Sequence, residues 1–413
     1  MFKHVMSAEN PHHYEPQGFH PVHLGDTFNN GRYTVLHKLG HGASSTIWLV
    51  HDKQTDGYAA LKVIAAWKSS AEAAVFAHLD SHFDANEEGS NHVARMLDHF
   101  FHDGPNGRHQ CIVGEVYGPG LNLDAFWFWD SESFPANMVR RLFGQVALGV
   151  RYLHRRGVAH GDLHPGNVLL CLPMTWSSWE DIEKDIGAPR RKEYGASPSP
   201  HLPNYLVPSP LDGVDFLRRC LISPNVKICD FSESTIVGMT TPPPLASPYA
   251  LRAPECLLGF SNHATLESDI WALAALCGML FSGGGGLFMD YSVSLLSTSK
   301  PTKDAILQDM VRKLGEFPEP MRSSWASRGY VDNHAHRARP TLLWKGIVRA
   351  GEEYEALETL LRSMLRYEPT QRATAQDVVD SRWMEQFCRR EMAPNNTFVV
   401  ELLDEFKPSA DSP

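Results

Sequence analysis

At 413 residues the chain has room for two or three domains, or for one large bilobal unit. A hydrophobic share of 43% with 21% charged residues supplies a sizeable core and excludes wholesale disorder. The net charge of −10 argues against non-specific binding to nucleic acid and suits a basic partner. Seven cysteines lie scattered at 111, 171, 220, 229, 256, 277 and 388, without a CxxC pair, so neither a disulfide framework nor a zinc site is indicated. They read as core thiols in a reducing compartment. The first sixteen residues lack the apolar segment of a signal peptide. The longest apolar stretch, Ile270 to Phe281, is shorter than the about 18 residues a membrane span needs. The Asn395-Asn396-Thr397 sequon is therefore read as accidental.

In chain order, residues 1–31 form an extension rich in His, Pro and Gly. His4, His12, His13, His20 and His23 could ligate metal, but no carboxylate or cysteine completes a site. Two β-rich patches follow, Tyr33 to Leu36 and Thr46 to Val50, around Leu39-Gly40-His41-Gly42-Ala43-Ser44-Ser45. A strand, a glycine turn and a strand make a hairpin whose backbone N–H groups can approach phosphates. Lys62 lies twenty residues beyond Gly42 in a third strand. Ser69 to Leu79 reads as a helix carrying Glu72, and Val93 to Phe101 and Gln110 to Val116 read as strands. Gly118-Pro119-Gly120 then breaks the chain.

Ala136 to Arg156 is an amphipathic helix closed by Gly157. It leads into His160-Gly161-Asp162-Leu163-His164-Pro165-Gly166-Asn167 and the apolar run Val168-Leu169-Leu170. A carboxylate and an amide five residues apart suit phosphoryl transfer, where one group orients the attacking hydroxyl and the other holds a cation on the phosphates. His160 and His164 also have the spacing of a helical zinc pair. Gly161, Pro165 and Gly166 oppose a helix there, and the HExxH glutamate is missing. Residues 171–225 break the pattern, with a short helix-prone piece and then a proline-rich stretch expected to be an extended spacer. Val226 to Ile228 resumes as a strand leading to Asp230-Phe231-Ser232. Ala253-Pro254-Glu255, then Asp269 in a hydrophobic helix, then Arg372 complete the marked positions. Residues 388–413 form a tail whose apolar patch, Phe398 to Leu403, is expected to pack back on the domain.

The catalytic stretch resembles the HRDLKxxN loop of the protein-kinase-like fold, with Gly161 in place of the arginine and His164 in place of the lysine. HGDLHPGN is also similar to the loop of small-molecule phosphotransferases of the aminoglycoside-kinase type, which lack the Ala-Pro-Glu trio and the Asp269 and Arg372 elements. On GFHPVHLGDTF, KLGHGASSTIWLV, CIVGEVYGPGL and LRAPECLLG, and on the position of the spacer, the chain resembles the SR-protein kinase family, fungal members in particular.

That resemblance implies an α+β, bilobal protein-kinase-like fold, with a small β-rich N-lobe over 32–117 and a larger, mainly α-helical C-lobe over 118–387 that holds the spacer insert. It implies an ATP-dependent serine/threonine kinase acting on Arg/Ser-rich proteins, without activation-loop phosphorylation, as a monomer in cytoplasm and nucleus. Neither nucleic acid nor membrane is an expected partner. By the same resemblance ATP lies between the lobes under residues Leu39 to Ser45. Lys62, held by Glu72, contacts the α- and β-phosphates, while Glu115 and Tyr117 hold the adenine. Asn167 and Asp230 hold Mg²⁺, and Asp162 orients the substrate hydroxyl. Glu255 and Arg372 pair in the core, and Asp269 is structural. Gly114 falls at the gatekeeper position, leaving a void behind the adenine. His164 replaces the lysine that touches the γ-phosphate, so transfer is expected to be slower than in lysine-bearing relatives. The alternative expectation is a pseudokinase, a binding or scaffold protein of the same fold, on the strength of His164 and Ser232.

Overall fold

The structure, a computed structural model, describes residues 8–121, 134–193, 199–210, 214–282, 286–288, 302–326, 351–393 and 396–398. The chain divides into two compact units. Unit 1 comprises Met1–Ala77, Ala94–Pro119 and Cys171–Cys220, and unit 2 the remainder.

Unit 1 is built on a six-stranded antiparallel sheet: β1 (Thr27–Phe28), β2 (Tyr33–His41), β3 (Ser45–Asp52), β4 (Gly57–Ile64), β5 (Met96–Gly104) and β6 (Gly107–Gly114). The order across it is β1-β2-β3-β4-β6-β5. Alternation along the strands puts Tyr33, Val35, Trp48, Val50, Leu61 and Val63 on one face, where they form the core. The two ends of the sheet are tied together by Asp98 on β5. Its Oδ2 accepts from Tyr33 Oη at 2.8 Å, Arg32 Nη1 at 3.1 Å and Asn29 Nδ2 at 3.1 Å. Helix α1 (Glu72–Ser81) starts in this unit.

The stretch expected to be an extended spacer contributes helices Trp179–Ile186 and Val214–Ile222. The first begins with a capping box between Ser178 and Asp181. Between the two helices, Val207 enters the core under the sheet, with Tyr205 packed beside it. Leu206 packs with Tyr14, Phe19 and Ala65. Asn106, at the tip of the β5–β6 hairpin, ties two remote segments to it: its Nδ2 donates to Phe19 O at 2.5 Å and to His201 O at 2.8 Å. The insert and the N-terminal extension are thus one layer on the sheet, because their prolines still leave Tyr205, Leu206 and Val207 as a run of apolar side chains to bury.

Unit 2 is organised around α2 (Ala136–Arg155), buried along most of its length, which ends at Gly157 with φ +66. Two short ladders follow. β7 (Val158–Ala159) pairs with β10 (Thr235–Ile236), and β8 (Val168–Leu170) pairs with β9 (Val226–Ile228). Helix α3 (Leu266–Phe281) is apolar on every side and buried, as its composition requires. The C-terminal segment is pinned to this unit: Arg141 Nη1 donates to the carbonyls of Glu391 at 2.8 Å and Ala393 at 3.0 Å. Phe398 is buried, and its N–H donates to Ile222 O at 2.8 Å. The rest of the expected apolar patch, and Asn395 of the sequon, lie outside the described residues. Among the described residues no helix is long and apolar enough to cross a membrane.

Candidate active site

The positions singled out in the sequence fall into two sets, one in each unit. In unit 1 the β2–β3 hairpin carries the glycine turn, closed by Gly42 N–H donating to Ser45 O at 2.8 Å. A Cβ built on Gly40 meets no heavy atom within 4 Å, so packing does not require glycine there, and the open space is available to a ligand. Lys62 sits in the middle of β4, opposite Ile47 of β3 and Ile112 of β6. Its Nζ donates to Glu72 Oε2 at 2.6 Å. Glu72 lies in the first turn of α1, where the helix dipole favours a carboxylate, and its own N–H is held by Ser70 Oγ at 3.2 Å. The lysine side chain is 14% exposed and the glutamate 3%. Gly114 ends β6 beside Ala60, and a Cβ there would touch only Arg95 O, at 3.4 Å. Tyr117 Oη donates to Glu115 Oε2 at 2.9 Å.

In unit 2 the loop after β7 is held from below by Asp269, in the first turn of α3. Its carboxylate accepts from the backbone N–H of His160 at 2.6 Å and of Gly161 at 2.9 Å, and His154 Nε2 lies 3.1 Å away. The His160 ring is fully buried and bonded on both nitrogens. Nδ1 accepts from Asp162 N–H at 3.3 Å, and Nε2–H donates to Cys229 O at 3.0 Å. Phe231 packs edge-on against it, centroids 5.2 Å apart. This histidine therefore couples the loop bearing Asp162 to the strand end bearing Asp230. Sequence reasoning matched it to the histidine of the HRDLKxxN pattern and weighed it as half of a zinc pair, but gave it no coupling role. The signal that could have found it is a histidine two residues before the aspartate.

Asp162 is oriented from within its own loop. Asn167 Nδ2 donates to its carbonyl at 2.9 Å and lies 3.3 Å from its Oδ2. Oδ1 of Asp162 is buried and has no hydrogen-bond partner, while the side chain as a whole is 20% exposed. His164 caps the next turn: its Nδ1 accepts from Gly166 N–H at 3.0 Å, so the ring proton is on Nε2, 3.5 Å from Asp162 Oδ2. In this arrangement the imidazole is spent on the loop itself.

Asn167 and Asp230 are brought together by the β8–β9 ladder. Val168 faces Ile228, and one step further Cys229 N–H donates to Asn167 O at 2.9 Å, so Asp230 follows at once. Asp230 has φ +64, a left-handed conformation, and its Oδ1 accepts from Ser232 N–H at 3.3 Å. With Asn167 Nδ2 engaged by Asp162, its amide oxygen and the Asp230 carboxylate form a hard oxygen pair. That set fits Mg²⁺, which protein sites bind through one or two carboxylates together with substrate phosphates. No group of three or more His, Cys, Asp or Glu with metal-holding geometry occurs among the described residues; His4 of the extension lies outside them.

Gly161 has φ +84, and a Cβ on it would lie 2.4 Å from Glu233 O and 2.9 Å from Ala264 Cβ. The segment after Asp230 thus packs directly on the loop, aided by Ser234 Oγ donating to His160 O at 2.8 Å. Further along unit 2, Arg372 grips Glu255 with two bonds, Nη1 to Oε1 at 2.7 Å and Nη2 to Oε2 at 2.6 Å.

Residues 33–174 match the family model of the protein kinase domain. The chain is 37% identical over 169 residues to protein kinase dsk1 of Schizosaccharomyces pombe, a stretch that covers 40% of this chain but 31% of that protein. It is 28% identical over 415 residues to the serine/threonine-protein kinase SRPK of Physarum polycephalum, covering 91% of each. Among solved structures, a crystal structure of a kinase domain shares the fold with a TM-score of 0.59 at 17% identity, over 88% of this chain and 98% of the other.

Proposed function

We propose that this chain, which carries a protein kinase domain and is similar to SR-protein kinases, is an ATP-dependent serine/threonine kinase. The observation that carries the reading is the Asp162 carboxylate, whose side chain is 20% exposed and is oriented from within its own loop by Asn167. The Asp162 carboxylate accepts the hydrogen bond of the substrate serine hydroxyl and aims its oxygen for in-line attack on the γ-phosphorus. The new O–P bond forms as the bond to the ADP oxygen breaks, and the serine proton is drawn toward the carboxylate. Lys62, fixed by Glu72, carries positive charge to the α- and β-phosphates, and the open side of Gly40 lets backbone N–H groups approach them. Glu115 and Tyr117 serve the adenine. Asn167 Oδ1 and the Asp230 carboxylate would hold Mg²⁺, which when bound offsets phosphate charge.

The substrate is proposed to be a basic, Arg/Ser-rich protein, in keeping with the resemblance to SR-protein kinases and with the net charge of −10. Cytoplasm and nucleus are the proposed compartments. Gly161 leaves no side chain at the loop to read a phosphate on the following segment, which supports activity without such phosphorylation. The second reading, a nucleotide-binding scaffold, is favoured by the engagement of His164 as a turn cap. The deciding experiment is phosphate transfer from Mg-ATP to an Arg/Ser peptide by the wild-type chain and by Asp230→Ala. Transfer by the first and not the second is expected. Binding of Mg-ATP by both without transfer would establish the scaffold.

A further inference from the structure

The N-terminal extension places one carboxylate where no surface function can explain it. Glu9 pairs with Lys38 of β2, and their side chains are 1% and 0% exposed. Tyr14 Oη donates to the other oxygen of Glu9, and Tyr14 is in turn anchored edge-on against Phe19, centroids 5.8 Å apart. Lys38 stands two residues before Gly40. Its backbone faces Trp48 of β3, and its ammonium lies 5.0 Å from the centroid of that ring. Glu9 thus engages β2 just before the glycine turn, at a lysine that itself reaches the Trp48 ring of β3. A buried lysine needs such a partner, because an unpaired ammonium in a dry core costs far more than the pair. The ammonium is too deeply buried to touch a nucleotide, so any effect on the reaction must act through the strand.

We propose that Glu9 is a positioning residue for phosphoryl transfer: by pairing with Lys38 it holds β2 where Gly40 and Gly42 can receive the nucleotide phosphates. The inference rests on the kinase reading above and adds a residue from outside the sheet to its nucleotide-binding set. Breaking the pair leaves a charge that must either lose its proton or drag the strand toward water, and the glycine turn moves with it.

The test is steady-state transfer to an Arg/Ser peptide by the full chain, with Mg-ATP varied, for wild type, Glu9→Gln and the double variant Glu9→Leu with Lys38→Met. Glu9→Gln is expected to raise KM for ATP about tenfold, with kcat changed by less than about twofold. The double variant removes both charges together and is expected to return KM to within about threefold of wild type. A fall in thermal midpoint with KM for ATP unchanged would mean that the pair is structural only, and would overturn the proposal. Should Glu9→Gln not fold, Tyr14→Phe removes a single hydroxyl from Glu9. A rise in KM of about threefold is then expected, and an unchanged KM overturns the proposal equally. If wild type binds Mg-ATP without transfer, the kinase reading fails by itself, and the Kd for Mg-ATP of the same variants decides the role of Glu9.

Discussion

Glu255–Arg372 in unit 2 and Lys62–Glu72 in unit 1 are both buried ion pairs, yet they are finished differently. Arg372 is saturated: two bonds to Glu255, Nε to Arg366 O at 2.7 Å, further bonds to the carbonyls of Glu267 and Tyr367, and the Trp271 ring 5.1 Å from its guanidinium carbon. Its side chain is fully enclosed. The lysine pair keeps 14% of the Lys62 side chain open to solvent. A planar guanidinium with a fixed fork suits a joint that never changes, whereas a compact ammonium on a flexible stem can be shared with a ligand phosphate. The contrast separates a bolt from a grip.

The comparison breaks most directly at its closed end. Arg372→Ala strands the Glu255 carboxylate and is expected to cost about 3–5 kcal/mol, read as a fall in chemical-denaturation stability. Unchanged stability would refute the bolt. At the open end, Lys62→Met is expected to lower transfer by about 10²–10³. It also strands the Glu72 carboxylate, which is 3% exposed, so a stability loss of about 1–3 kcal/mol is expected, smaller than at Arg372 because the lysine end reaches solvent. A loss equal to that of Arg372→Ala would turn the grip into a second bolt.

Acid sharpens the contrast by testing what the extension contributes. Burial, together with the neighbouring His102 and His109, pushes His20 down to about 3 from the ordinary 6.5. The unfolded chain gains this proton near pH 6.5, whereas the folded chain resists it until about pH 3. The stability tied to neutral His20 is therefore complete above pH 6.5 and is lost as pH falls toward 3. Thermal melts across that range are expected to fall less steeply for His20→Phe than for wild type. In unit 2, burial likewise pushes His92 down to about 4, so a residual slope should persist in that variant.

Smaller effects refine the open end. His164→Lys exchanges the turn cap for a cation able to meet the γ-phosphate. It should raise kcat by about threefold while the lost cap lowers stability by about 1 kcal/mol. No gain in kcat would leave His164 as a loop residue. At Gly114, where a Cβ would meet only one backbone oxygen, ATP analogues bulky at the adenine amino group should bind within about threefold of ATP. Competition binding checks this, and Gly114→Phe should exclude the analogues.

Much of this was legible because the chemistry is local. The glycine hairpin, the loop from His160 to Asn167 and the strand before Asp230 are each written within about ten residues, with turn formers and apolar runs at fixed offsets. Glu72 was also readable, although its interval from Lys62 is short. What was not readable depends on packing between remote segments. Gly161 looked like the loss of an arginine, while the structure shows a left-handed residue pressed against Glu233 O, where no Cβ fits. The stretch expected to be a spacer looked like a linker because its prolines and serines mask Tyr205, Leu206 and Val207, whose burial needs a surface formed by the N-terminal extension and the sheet. Glu9 and Lys38 carry no periodic signal at all.

The placement of Val207 in the unit 1 core has a consequence for biosynthesis. By sequence, the sheet is complete at Gly114, so a nascent chain could assemble all six strands early. The layer that seals them, with Tyr205 and Val207, is translated about 90 residues later, a lag of roughly 5–20 s at ordinary elongation rates. Throughout that interval the sheet has its hydrogen bonds but an unfinished core, while the loop carrying Asp162 and Asn167 is already being made. A stop or rare-codon pause between residues 120 and 200 would therefore expose apolar surface belonging to the first unit. Such pauses should send the chain to chaperones more often than pauses placed after residue 210.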